Sequence, residues 1–298
     1  MKKKIKRNIS ILMFLCPAII FFLIFYAYPI VLLLFNSFFD VSPALSAGRT
    51  FIGFANYQKI LTSQKFISIF LQTIKFTGIV LTAEFLLGFI VALIFNAIGK
   101  KSRILRTIFL FPLMLAPIVV GVLWKFMFLD NFGILNYILM WLGILKDPSA
   151  ISWLSNPNIV LYSVALPDIW LTTCFVTLVI YTGLQNIPFE FLEAAKIDGA
   201  NNIQSFWNIT LPLLKPVIAT ALIIRGIDAA RTFDAIWIMT EGGPMNKSET
   251  LSLYIYKTMI RFGRFGEASA MATIFLIFLL VFGLLTFYRI WRSSVLYK

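Results

Sequence analysis

At 298 residues, with a mean hydropathy of +0.89 and only 13% of its residues charged, the chain is too apolar for a soluble globule and belongs to the class whose core is a bilayer. Its formal charge of +13 gathers in short segments flanking apolar stretches, the distribution of cytoplasmic loops, so no nucleic-acid partner is expected. Histidine is absent, which removes the commonest acid–base residue and neutral metal ligand, and Gly99-Lys100 lacks the rest of a phosphate-binding loop, so neither a metal site nor a bound nucleotide cofactor is expected.

Six apolar stretches reach the length of about 20 residues that a bilayer requires: residues 9–34, 67–98, 107–129, 159–184, 217–239 and 268–291. Unsatisfied backbone groups are so costly in lipid that each should be a helix. The expected fold is therefore an all-α membrane protein of six transmembrane helices, residues 1–298 forming one membrane domain. Lys2, Lys3, Lys4, Lys6 and Arg7 precede the first stretch, Lys100, Lys101, Arg103 and Arg106 follow the second, and Arg289 and Arg292 close the sixth. By the positive-inside rule both termini are then cytoplasmic. Lys247, Lys257, Arg261 and Arg264 dissent, since this order puts them outside. The N-terminal basic and apolar segment reads as an uncleaved anchor, and Cys16 and Cys174 as small hydrophobes on different spans.

The first stretch carries Pro17 and Pro29, with Tyr26 and Tyr28 suited to an interfacial belt. The second contains Glu84 among apolar residues; the third contains Pro112, Pro117 and Gly121, which need neighbours to satisfy freed carbonyls and so should pack inside the bundle. Residues 134–145 are too few to span and should lie at the interface. In the fourth stretch Asp168 and Trp170 combine hydroxyl acceptors with a flat apolar face; Asp234 and Trp237 repeat that pairing in the fifth. Equally, the two indoles suit interfacial anchoring. The fifth stretch also holds Arg225, Asp228, Arg231 and Asp234 at successive i, i+3 steps. They are positioned either to pair within the helix or to line an aqueous path.

Between the fourth and fifth stretches, residues 185–216 form a hydrophilic interruption. Pro188 suits a first helical turn, Glu190 and Glu193 a helix N-terminus, and Gly199 its left-handed end. Asn201 with Gln204 can cap a second helix bearing Phe206 and Trp207, and Leu211-Pro212 should close the unit. Two short helices around a glycine turn, lined by Ala194, Ala195 and Ala200, make a surface built for docking.

That loop resembles the EAA loop of ABC importer permeases, on Glu193-Ala194-Ala195, Asp198-Gly199-Ala200, Phe206, Ile209, Leu211-Pro212 and Pro216. The segments Phe51-Ile52-Gly53-Phe54-Ala55-Asn56-Tyr57, Phe132-Gly133-Ile134-Leu135-Asn136, Trp153-Leu154, and Phe233 through Pro244 with Tyr254-Ile255-Tyr256-Lys257 resemble elements of the carbohydrate-uptake class, of the maltose-system large permease type. The resemblance implies a type I importer permease bundle in the cell membrane of a bacterial-type organism. It also implies a heterodimer with a second EAA-bearing permease, two ATP-binding-cassette ATPases that use ATP and Mg, an extracytoplasmic sugar-binding protein, and coupling through the EAA residues. Two rival functions are weighed beside it: an importer of the same architecture for a non-sugar solute, and an ion-coupled carrier using Glu84, Asp168 and Asp228 as a relay. Arg225 and Arg231 further raise an acidic sugar as substrate, unless Asp228 and Asp234 already consume both charges.

Overall fold

The computed structural model describes residues 13–41 and 48–295; the N-terminal basic residues, and residues 9–12 of the first apolar stretch, lie outside it. In chain order the helices are α1 (Met13–Asn36), α2 (Ala55–Leu61), α3 (Gln64–Ile98), α4 (Arg103–Phe109), α5 (Pro117–Met127), α6 (Ile134–Trp141), α7 (Val160–Gln185), α8 (Phe189–Ile197), α9 (Asn202–Ser205), α10 (Leu211–Ala230), α11 (Asp234–Thr240), α12 (Leu251–Tyr256) and α13 (Phe265–Val295). Strands β1 (Phe39–Asp40) and β2 (Thr50–Phe51) pair antiparallel, Phe39 opposite Phe51.

Among the described residues five helical stretches are long and apolar enough to cross a membrane: α1, α3, α7, Asn202–Thr240 and Phe265–Arg289. The expected third span is not one helix. It breaks into α4, a 3₁₀ turn over Phe111–Met114, and α5, with Leu115 and Ala116 extended at ψ of 142° and 133°. Proline chemistry explains the break: Pro112 and Pro117 donate no hydrogen bond, and Pro117 pushes Ala116 out of the helical region. The expected closure at Leu211-Pro212 also differs, because the chain runs on helically through Pro212 and Pro216. A π turn makes this possible: Leu211 N–H reaches back five residues to the Phe206 carbonyl. The same device precedes Pro29, where Tyr28 N–H bonds the Leu23 carbonyl. In both places the widened turn sits immediately before the residue that cannot donate.

By contacts the described chain divides into two compact units, one holding residues up to Phe66 with Ile255–Ile277, the other holding Ile67–Tyr254 with residues from Phe278 on. In the first unit, the turn after α1 is held by the string from Phe51 to Tyr57. Asn56 Nδ2 donates to the carbonyls of Ser37 and Phe39, each at 3.0 Å, and the Tyr57 hydroxyl donates to Ser37 Oγ at 2.6 Å. Phe265 N–H bonds the Val41 carbonyl, and a Cβ at Gly266 would stand 2.1 Å from the Phe39 carbonyl oxygen, so only glycine fits there.

Among the described residues, the second unit buries apolar clusters of which two bear on the site. One gathers Phe76, Val80, Phe128, Val164 and Ile236; the other gathers Phe95, Val176, Ile180 and Leu214. Two separate sequence elements meet here, since Trp153 Nε1 donates to buried Asn136 Oδ1 at 2.7 Å while Asn136 Nδ2 donates to the Ile151 carbonyl at 2.9 Å. Nearby Asp147 Oδ1 accepts from both the N–H and the hydroxyl of Ser149, which holds its carboxyl below the ordinary range.

Candidate functional site

Three helices of the second unit converge on one guanidinium. From α3 comes Glu84, from α7 Asp168 and, one turn on, Thr172, and from α10 Arg225. Arg225 Nε donates to Glu84 Oε2 at 2.9 Å and its Nη2 to Oε1 at 2.7 Å, while Nη2 lies 3.4 Å from Asp168 Oδ2. Glu84 is fully buried and Arg225 nearly so. The Thr172 hydroxyl lies between Glu84 Oε1 and the Asp168 carbonyl, and Thr232 Oγ1 donates to Asp168 Oδ2 at 3.3 Å. A bidentate, charge-assisted fork of this kind is what lets an ion pair persist out of water.

Arg225 is therefore not paired within its own helix to Asp228; its partners are 141 and 57 residues away in sequence. Among the described residues Asp228, Arg231 and Asp234 join no ion pair. All three line an open cavity of about 320 Å³ with Asp168, Thr172, Arg225, Thr232 and Phe233. The cavity exists because two helices are interrupted beside it: α10 ends at Ala230 and α11 begins at Asp234, while α5 begins at Pro117, whose ring also lines the wall. Helices α5 and α11 approach closely at Gly121, where a Cβ would stand 2.6 Å from Ile238 Cγ2, and Lys125 Nζ donates to the Ile238 carbonyl at 2.9 Å.

The indoles lie elsewhere. Trp170 meets the edge of Trp124 at 6.3 Å between ring centroids, and Trp237 stacks on the cavity residue Phe233 at 5.9 Å. Neither is among the residues lining the cavity. Thr172 and Thr232 were not singled out in the sequence. Thr172 stands four residues after Asp168, the spacing of a hydroxyl that supports a helical neighbour, which is the signal that could have found it. Because Glu84 and Asp168 are tied to Arg225, they are not arranged as a free proton relay with Asp228.

The hydrophilic loop forms a second site. Pro188 stands before α8 as its N-cap, and Gly199 takes a φ of +78°. Ala200 N–H bonds the Ala195 carbonyl and Gly199 N–H the Lys196 carbonyl, the paired bonds that close a helix through a left-handed glycine. Asn201 and Gln204 exchange reciprocal side-chain to backbone bonds at 2.8 and 2.9 Å. Phe206 packs edge-on to Phe89 of α3 at 5.8 Å, anchoring the loop, and Leu211 and Pro212 lie within the continuing helix. Ala195 is buried, whereas Glu193, Ala194, Asp198 and Gly199 are exposed. Exposed beside them are Ile197 (86%), Ile203 (71%) and Trp207 (61%).

Residues 84–295 match the family model described as binding-protein-dependent transport system inner membrane component. The chain is 37% identical over 234 residues to the trehalose/maltose transport system permease protein MalF of Thermococcus litoralis, covering 78% of each. It is 35% identical over 260 residues to the sulfoquinovosyl glycerol transport system permease protein SmoG of Agrobacterium fabrum, covering 87% of this chain and 83% of that one. Among solved structures, a chain of a bacterial ABC transporter involved in the import of the acidic polysaccharide alginate superposes with a TM-score of 0.82 at 26% identity, covering 97% of this chain and 98% of that one.

Proposed function

This chain belongs to the binding-protein-dependent transport system inner membrane components, and from that premise we propose that it is one permease half of an ATP-driven importer for a sugar or oligosaccharide. It is a multi-pass membrane component and not itself the ATPase. In this reading it pairs with a second permease, receives substrate from an extracytoplasmic binding protein, and is driven by two partner ATPases that hold ATP and Mg. The broken stretch from α4 to α5 serves as a sixth crossing, both termini are cytoplasmic, and residues 1–298 act as one permease domain. Asp168, Asp228, Arg231, Asp234 and Phe233 border the path, with Arg225 fixing Asp168. Sugar as cargo is supported by the names of two relatives, the trehalose/maltose and sulfoquinovosyl glycerol permeases, and by the alginate transporter among solved structures.

The observation that carries the proposal is the loop of α8 and α9. Its first helix closes through a left-handed glycine and its second opens on a capping box, yet the loop exposes Ile197, Ile203 and Trp207. A hydrophilic loop that leaves large apolar side chains in water marks a docking surface, and Glu193, Ala194, Asp198, Gly199 and Ala200 stand on it. Movement of an ATPase against this surface would be passed through the Phe206 anchor to α3 and through the continuous helix to α10, biasing the bundle between two arrangements.

Gly199 provides the test. No atom lies within 4 Å of the Cβ position there, so a valine acts only through the left-handed backbone, at a cost of about 1–3 kcal/mol. In the assembled transporter, Gly199→Val should retain membrane insertion and partner permease but lose uptake and binding-protein stimulation of ATP hydrolysis. Uptake at the wild-type rate would sink the proposal.

A further inference from the structure

The charge balance around the cavity speaks to the substrate. Its wall carries three carboxylates, from Asp168, Asp228 and Asp234, and two guanidinium groups, from Arg225 and Arg231. Arg225 lines that wall but is already ion-paired: its Nε and Nη2 bond the two oxygens of Glu84, and Nη2 also reaches Asp168. Its charge is matched before any substrate arrives. Outside any ion pair on that wall is Arg231, three residues from Asp228 on one side and three from Asp234 on the other. An anion seated by Arg231 thus shares the cavity with the carboxylates of Asp228 and Asp234. Hydroxyl groups meet the opposite situation. Asp228 and Asp234 accept from them, Arg231 and Thr232 donate to them, and the Phe233 ring, backed by Trp237, offers a flat apolar face to C–H edges.

We infer that the saccharide passing this cavity carries no acidic group: Asp228 and Asp234, set against a single guanidinium outside any ion pair, select hydroxyl-rich neutral or amine-bearing sugars over uronates and sulfonates. This rests on the importer reading and separates the chain from two similar transporters named for acidic cargo, that of alginate and that of the sulfonated sulfoquinovosyl glycerol. The expected discrimination is on the order of tenfold, the effect of one unbalanced charge about 10 Å from a ligand anion at an effective dielectric constant of about 20.

The test measures binding at the permease itself, apart from the selectivity of the binding protein. The whole transporter, in nanodiscs without its binding protein, is titrated with maltotetraose and with a tetra-uronate of equal length, and occupancy is read by saturation-transfer NMR. The neutral sugar should bind about tenfold more tightly, and Asp228→Asn with Asp234→Asn should remove most of that difference. Equal or tighter uronate binding, a ratio unmoved by the double variant, or no binding of either sugar would overturn the inference. A transporter that shows the expected ratio while its ATP hydrolysis ignores the loaded binding protein would overturn the importer reading and leave the cavity's selectivity standing.

Discussion

A guanidinium buried as deeply as that of Arg225 keeps its place only because Glu84 meets it with both oxygens. Removing one partner strands the other in an apolar interior, which costs about 3–5 kcal/mol, whereas removing both leaves Asp168, still held by Thr232, as the remaining carboxylate of the cluster. Glu84→Ala should therefore lower the thermal stability of the detergent-solubilised protein sharply, and Glu84→Leu with Arg225→Met should restore part of it; fluorescence-detected gel filtration after heating reads both. Equal losses in single and double variants would show that the pair does not act as a unit. Glu84 could be singled out in the sequence, since an ionised group amid apolar residues is conspicuous. Its partner could not, because Asp228 at i+3 offered Arg225 an equally good local mate and only the packing of three helices decides between them.

At the scale of elements, the capped loop and the broken third stretch illustrate two kinds of signal. The end of α8 and the start of α9 depend on residues within one turn, so Gly199 and the Asn201–Gln204 exchange were readable in advance. Asn201→Ala should cost about 1 kcal/mol of local stability, seen as faster amide exchange at Gln204 with exchange in α10 unchanged. The break between α4 and α5 was harder to place. Its prolines are visible, but a membrane helix either runs on through a proline, as α7 does at Pro167, or breaks, according to what lies beside it. Beside α5 lies α11, close enough that Gly121 has no room for a side chain. Gly121→Val should overpack that contact at about 1–3 kcal/mol, lowering the melting temperature more than Gly78→Val, whose Cβ position in α3 is open.

For the molecule as a whole, the apolar residues left in water are as informative as those buried. Trp207→Glu combined with Ile197→Glu should leave expression and insertion unchanged and abolish co-purification of the ATPase subunits, because two charges would replace the apolar area of the docking surface; retained ATPases at wild-type yield would place the contact elsewhere. By itself the sequence determined that the core is a bilayer, roughly where the long helices run, and the shape of the hydrophilic loop. Those outcomes rest on composition and on interactions within a few residues, which any chain of that sequence must satisfy. Only the tertiary structure decided that Arg225 faces Glu84, that Asn136 receives Trp153, and that two helix breaks share one cavity. Each of these pairs residues far apart in sequence, and the local alternatives are close enough in energy that packing, which no single segment contains, makes the choice.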